Sequence, residues 1–441
     1  MLPSYLAKAT PNPASNRAPW YVNTAPSYAG VFLWIAFYNS MAGGTITKAS
    51  LAVCLAALLV AGVLSYKLYY YVPAMLGMKT GLPLYVVGSS TFGATGGYLM
   101  PGLLMGLLQV GWFAVGTFFA AKFMLSAAGS SAGPGTLPFI VAGMVWGYTM
   151  AWVGVMGIQY VAKVATYLNF IPLAMLLIVF ARTAPGIAGH RVEQAEPWVA
   201  FTLLLQMVIG FFATAGAAGA DFGTNSRNEG DVRWGGWVGI ALAVVVAGGL
   251  PLASVAGARA TMTLPDLNYD SVIASIGGWL AAAMFILFTV ASIPPACFCA
   301  FIAGNSFATM IPRVPRLTST MAGVTVAIVL AVTGVAENLI GFFTIVGASF
   351  GPICGAMAAD YWLSGGKWAG PREGINWAGY GAWALGFLVG ILPFLLPDDV
   401  AAKVQPAVGY SFLTGFVVYA ALAKAGLEPK ATALPAAAAS R

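Results

Sequence analysis

Two stretches of this 441-residue chain combine polar side chains with residues that let a helix come apart. The first reads FLWIAFYNSMAGGTI and gathers Asn39, Ser40, Ala42, Gly43 and Gly44. The second reads QMVIGFFATAGAAGADF and carries Gly210, Thr214, Gly216 and Gly219. Backbone unwound at such places presents free carbonyls and amides, which hold a small solute or an ion without any charged side chain. Glycine also serves close helix packing, and GATGGYLMPGLLMG reads that way. Other reactive residues form no constellation. Cys54, Cys297, Cys299 and Cys354 lie in apolar stretches, and their one close pair is C-x-C, so they read as buried thiols with no metal site. The single histidine, His190, sits among Arg191, Glu193 and Glu196 and reads as solvated surface. The acids fall in expected loops or at helix ends, and Glu337, the nearest to a span, reads as exposed. With no paired carboxylates and no nucleophile beside a base, the chain is not expected to be an enzyme.

The elements that position these residues follow from composition. Charged residues make up 7% of the chain and hydrophobic ones 60%, with a mean hydropathy of +0.84. Soluble domains carry ~25% charge. The numbers exclude a soluble, disordered or fibrous protein and predict an all-α polytopic membrane protein whose partner surface is the lipid bilayer. The net charge of +7 comes from single, scattered basic residues, which argues against nucleic acid. Twelve charge-free runs, each of 18 residues or more, predict twelve transmembrane helices. Surplus length reads as loop at 80–97, 126–135 and 271–276. With the N-terminus inside, 14 of the 20 Lys and Arg fall on that side and 6 on the other, so both termini are expected in the cytoplasm and the protein in the plasma (inner) membrane. The expected division is a cytoplasmic N-terminal segment at 1–26, a twelve-helix domain at 27–426 and a cytoplasmic tail at 427–441. The polar start lacks a signal-peptide core and is expected to remain. The two interrupted spans are the first and the sixth. Interruptions five spans apart predict a five-plus-five inverted repeat, unwound near Asn39–Gly44 and Phe211–Gly216.

Four motifs in order carry a family resemblance. They are KTGLP at 79–83 followed by SSTFG at 89–93, QVGWF at 109–113, FATAGAAGADF at 212–222 with Arg227 beyond, and PICGAMAADYWL at 352–363 followed by GINW at 374–377. Together they resemble the nucleobase–cation symporter family of purine, cytosine and hydantoin permeases, over most of positions 30–395. The resemblance implies a twelve-helix LeuT-type fold with helices one and six broken, and a flat heterocycle bound between helices one, three, six and eight. It places Trp112 and Phe212 on the two faces of the ring, where stacking contributes ~1–3 kcal/mol. The matching position one turn after Trp112 is often Gln in the family and is Gly116 here, so Gln109 is the candidate replacement. Edge recognition is assigned to Gln109, Asn39, Ser40, Thr214 and backbone near Phe211.

Helix eight of the family supplies hydroxyls to sodium and an Asn to the substrate. Here it reads FTVASIPPACFCAFIAGNSF. Thr289 and Ser292 are the available hydroxyls, Pro294 and Pro295 distort the helix, and Asn305 lies too near one end. The expected coupling ion is Na⁺ rather than H⁺, held by Thr289, Ser292 and carbonyls around Ala36–Asn39, with no other cofactor. Asp221, Glu337 and Asp360 are the acids to consider if a proton is coupled instead. The expected function is import of a nucleobase-like heterocycle by cation-coupled alternating access, as a monomer or weak oligomer. The alternatives are another small solute, such as an amino acid or a vitamin, on the same fold, and a channel, for which no repeat of pore-lining groups is found.

Overall fold

The computed structural model describes residues 2–434; side chains of 157–166 and 398–399, and all of 435–441 at the end of the expected tail, lie outside the described residues. Among the described residues there are helices and turns and no strand, with two isolated bridges, Ala18–Ser226 and Arg372–Ala431. Nine helices there are long and apolar enough to cross a membrane. Helices suit these sequences because each satisfies its own backbone groups where no water reaches.

In chain order the elements are α1 (Thr24–Phe32), α2 (Ile35–Tyr38), α3 (Leu51–Thr80), α4 (Leu84–Phe92), α5 (Gly96–Ala127), α6 (Leu137–Leu168), α7 (Phe170–Gly189) and α8 (Pro197–Ala217). There follow α9 (Gly219–Gly223), α10 (Glu229–Thr261), α11 (Tyr269–Ile276), α12 (Gly278–Met310), α13 (Arg316–Val332), α14 (Leu339–Leu363), α15 (Trp377–Gly390) and α16 (Ala407–Lys424). Side-chain caps set several starts: Ser50 Oγ accepts from Val53 N, Asn338 Oδ1 from Gly341 N and Asn376 Oδ1 from Ala378 N. Gly81, at φ +69°, ends α3 in the left-handed turn that glycine favours. Both α3 and α10 loosen into a π-helical stretch where they cross, at Ser65–Tyr70 and Trp237–Leu242. There Gly236 makes room for the Tyr66 ring; a Cβ would sit 2.2 Å from it.

The sequence reading is corrected in several places. The expected loops at 80–97 and 271–276 contain helices α4 and α11. Helix one parts earlier than Asn39: α1 ends at Phe32, Trp34 is extended (ψ 130°), and α2 is a single turn before a run of turns from Asn39. The sixth span is continuous helix through Phe211–Gly216 and steps only at Ala218, because glycine and alanine alone do not unwind a helix whose backbone bonds remain packed. The last long element before α13 steps at Ser292, with Pro294 and Pro295 opening its second half.

The first and last described segments are packed against the bundle. Tyr5 Oη donates to Ala94 O (2.6 Å), Arg17 Nη1 to Met78 O (2.9 Å) and Asn12 Nδ2 to Thr224 O (3.0 Å). Thr432 N donates to Pro371 O (2.8 Å), and Ala94 N to Arg372 O (2.7 Å). Both described segments therefore meet at one end of the bundle, called the terminal end below.

Candidate functional site

The site is built where α1, α5, α8 and α12 converge. Side chains three residues apart share a helix face. Gln109 and Trp112 thus look the same way from α5, as do Phe211 and Thr214 from α8, and all four line one cavity of about 330 Å³. Trp34 joins them from the break in helix one, with Asn23 from the N-cap position of α1, Ser27 from α1, Asn169 from the α6–α7 junction, and Cys299 from α12. No charged side chain lines the cavity among the described residues. Its inner part is aromatic: Trp112 lies edge-on to Phe211 at 4.9 Å and 5.8 Å from Trp34. The cavity reaches the surface at Val22, which is 60% exposed, so it opens at the terminal end.

Polar groups on the wall differ in whether they are spoken for. Trp112 Nε1 donates to Thr214 Oγ1 (3.0 Å), and Asn169 Nδ2 donates to Pro26 O (2.9 Å). Asn23 Nδ2 donates to Phe222 O (3.2 Å). Gln109 makes only a weak contact with Met105 Sδ (3.6 Å), which leaves most of its amide for another partner. A buried amide or indole N–H left without a partner costs stability, so such groups in a cavity point to a ligand.

The structure brings together Gln109, Trp112, Phe211 and Thr214 of the expected site. It does not bring Phe212. One residue further along α8 turns the side chain by about 100°; Phe212 is fully buried against Phe32, stacked at 5.4 Å, and Tyr28, at 5.5 Å. Asn39 and Ser40 are not on the wall either. Asn39 belongs to the far end of the bundle, opposite the terminal end: its backbone O accepts from Tyr269 N (2.9 Å) and its Oδ1 from Asp270 N (3.0 Å). Asp270, buried, pairs with Lys122 at 2.6 Å. Ser40 is half-buried on the same turn.

The expected sodium ligands are not joined by hydrogen bonds. Thr289 Oγ1 donates to Phe285 O (2.9 Å) and Ser292 Oγ to Phe288 O (2.8 Å), which spends their protons and leaves oxygen lone pairs. Ala36 is fully buried, and Asn39 Oδ1 is committed to α11. Among the described residues no three of His, Cys, Asp and Glu gather as a metal site, and the four cysteines are free and buried.

The acids are less peripheral than the sequence suggests. Asp360 is buried and takes bonds from Ser90 Oγ, Thr91 Oγ1 and Arg372 Nη1, while Arg372 Nη2 also pairs with Glu428. Glu337 is exposed. His190 lies in the far-end loop, and partial burial, then the nearby Arg259 charge, hold its pKa below the ordinary value.

Residues the sequence reading missed are Trp34, Asn23, Ser27, Asn169 and Cys299. Leu33–Trp34 contains neither Gly nor Pro, so nothing marks the break. Asn169 did leave a signal, as the one amide within the apolar run 164–181.

A family profile described as permeases for cytosine/purines, uracil, thiamine and allantoin matches residues 11–418. The chain belongs to this family. It is a transporter with multiple membrane passes and not an enzyme. The permease is 26% identical over 352 residues to the cytosine permease of Escherichia coli (strain K12), covering 77% of this chain and 78% of that one. Its fold is similar to that of Mhp1, a nucleobase-cation-symport-1 family transporter. The closed form of Mhp1 with bromovinylhydantoin bound matches with a TM-score of 0.70 at 17% identity, over 96% of the permease and 95% of Mhp1. Inward-facing Mhp1 matches with a TM-score of 0.75 at 16% identity over the same shares. The four motifs lie where the elements meet: KTGLP ends α3, QVGWF carries Trp112, FATAGAAGADF spans the Ala218 step, and PICGAMAADYWL holds Asp360.

Proposed function

We propose that the permease carries an uncharged, flat, nucleobase-like heterocycle across the membrane by alternating access, coupled to a cation. The observation that carries this reading is the cavity itself: aromatic Trp112 and Phe211 meet there beside the free amide of Gln109, with no charged side chain on the wall among the described residues. A charged cargo buried there lacks a counter-charge, which is costly. A planar amide-bearing ring gains stacking and edge bonds instead. The relation to cytosine permease and to hydantoin-bound Mhp1 supports the same class of cargo.

We take the membrane domain as twelve spans in two inverted repeats, with helix one parted at Leu33–Trp34 and helix six stepped at Ala218. The 14-to-6 distribution of basic residues supports cytoplasmic termini in an inner-membrane protein. The open cavity then faces the cytoplasm, and the better match to inward-facing than to closed Mhp1 supports that orientation. Sodium is the preferred coupling ion, since no Asp, Glu or His lines the cavity among the described residues. The oxygens of Thr289 and Ser292 and the carbonyls of Ala36 and Asn39 are those that would hold it, the Asn39 oxygens each already accepting one bond from α11.

The test is uptake into proteoliposomes of labelled cytosine, uracil, hypoxanthine and hydantoin, with thiamine and an amino acid as charged controls, under imposed sodium or pH gradients. Saturable, sodium-driven accumulation of a neutral ring is expected. Accumulation of the charged controls alone overturns the cargo, and uptake that follows only the pH gradient overturns the ion. Trp112→Ala and Phe211→Ala are each expected to weaken ring binding by ~1–3 kcal/mol.

A further inference from the structure

Two cysteines on α12 face opposite ways. A step of two residues turns a side chain by about 200° around a helix. Cys297 is 0% exposed and points to α6, where its Sγ donates to Met150 O at 3.5 Å. Cys299 shares the other face with Pro295, four residues before it, and Ile302, three after it, and all three line the cavity. All four cysteines are free thiols. Cys54, Cys297 and Cys354 are 0% exposed, while Cys299 keeps 8%. The accessible thiol of the four therefore stands in the cavity. A second observation on the same cavity points to a ligand. Gln109 is only 6% exposed and makes nothing beyond its weak contact with Met105 Sδ. A buried amide with donors and acceptor to spare asks for a partner from outside the chain. No cation on the wall among the described residues stabilises a thiolate, so Cys299 is not an activated nucleophile. What favours reaction here is a reagent held beside the thiol. Trp112 and Phe211 offer such a reagent a flat apolar surface, and the opening at Val22 admits it.

We infer that Cys299 is a covalent acceptor for flat, uncharged, electrophilic rings of the cyclic enone and enimide class, and that its modification stops transport by filling the cavity. The inference rests on the reading that the cavity takes a nucleobase-like ring. Maleimide is the probe, a planar imide whose N–H lies between two carbonyls. The Cys299 sulfur forms a bond to one carbon of the ring's C=C. The π pair of that double bond takes up a proton at the neighbouring carbon, and the thiol proton is released. Nothing leaves the ring, and no oxidant or reductant is needed.

The experiment treats the purified full-length permease with maleimide and follows each cysteine by peptide mass spectrometry. Cys299 is expected to react about tenfold faster than each of the other three, since access decides which thiol reacts. Acrylamide is the open-chain control. The ratio of maleimide to acrylamide rates is expected to be about tenfold higher at Cys299 than at a free cysteine peptide, because the ring binds before it reacts. A neutral ring shown by thermal shift to bind, supplied at about ten times its dissociation constant, is expected to slow the reaction about tenfold as the vacant fraction falls. In proteoliposomes, uptake is expected to fall in step with modification of Cys299. In Cys299→Ser the fraction of uptake lost to maleimide is expected to vanish, whatever the starting level. Reaction at Cys299 no faster than elsewhere, no protection by a ring that binds, or full modification with uptake intact overturns the inference while the cargo reading stands. Binding of no ring, together with no gain of maleimide over acrylamide, overturns both. If Cys299→Ser folds poorly, protection of the wild type decides.

Discussion

The two ends of the helix bundle around the cavity are held by different chemistry. At the terminal end, neutral amides hold the walls: Asn169 reaches Pro26 O on α1, and Asn23 reaches Phe222 O on α9. At the far end, a charge pair and a helix cap hold them. Asn39 accepts the first two amides of α11 from a different helix, doing what an N-cap side chain does, since Asn268 makes no cap bond of its own. Asp270 sits in the first turn of α11, where the helix dipole favours a carboxylate, and pairs with Lys122 of α5. Tyr38 and Tyr269 meet edge-on at 5.2 Å above this cluster. The difference teaches where closure is stabilised. The open end is kept by contacts worth little each, and the shut end by a few strong directional ones, so opening the far end means undoing them.

The largest expected effect is at the far end. Asp270→Ala leaves Lys122 unpaired and α11 without its first-turn carboxylate. A cost of about 2 kcal/mol is expected, below that of breaking a fully buried pair because Lys122 is 34% exposed. The check is a cysteine at Ser40: its reaction with a membrane-impermeant thiol reagent is expected to rise several-fold in the Asp270→Ala background. Next comes Asn39→Ala, which removes one of the two caps on α11 and keeps the backbone carbonyl; about 1 kcal/mol of stability is expected to be lost in a denaturation series. At the open end, Asn169→Ala removes one neutral bond, and about 0.5–1 kcal/mol is expected. If Asn169→Ala costs as much as Asp270→Ala, the contrast between the ends is wrong. The smallest effect is His190. Its folded pKa lies below the unfolded value, so the unfolded chain binds more protons and stability falls as pH drops through and below about 6.5. The acid-side fall in melting temperature between pH 7.5 and pH 5 is expected to shrink slightly in His190→Gln, with uptake unchanged.

The class of protein was legible because charge-free runs and scarce charge leave few other folds for such a chain. Much of the cavity was legible too: Trp112, Gln109, Phe211 and Thr214 stand on motifs at helical spacing. The choice between Phe211 and Phe212 was not, because it depends on the rotation of α8 about its axis, and FF gives no signal for which of two neighbours faces inward. The break at Trp34 was hidden for a related reason. Leu33–Trp34 holds no residue type that marks a break, while the glycines at 43 and 44 drew attention to a stretch that serves the far-end closure. Helices α4 and α11 are short and follow turn-forming residues, so they read as loop. Asp270 and Asp360 looked peripheral because chain position near a helix end says nothing about what folds over it.

The buried pairing of Arg372 with both Asp360 and Glu428 has a consequence for the order in which the molecule is completed. Ser90 and Thr91, made early, share Asp360 with a guanidinium whose second partner lies beyond the last helix. During synthesis, the early segment therefore waits until Glu428 has been made before its polar contacts are complete. A nonsense codon just before Glu428 leaves α1 to α16 intact, yet it strips Arg372 of one partner and removes the bond from Thr432 to Pro371. Such a product is a natural substrate for membrane quality control, and the segment from Glu428 to Thr432 acts as a seal over the terminal end.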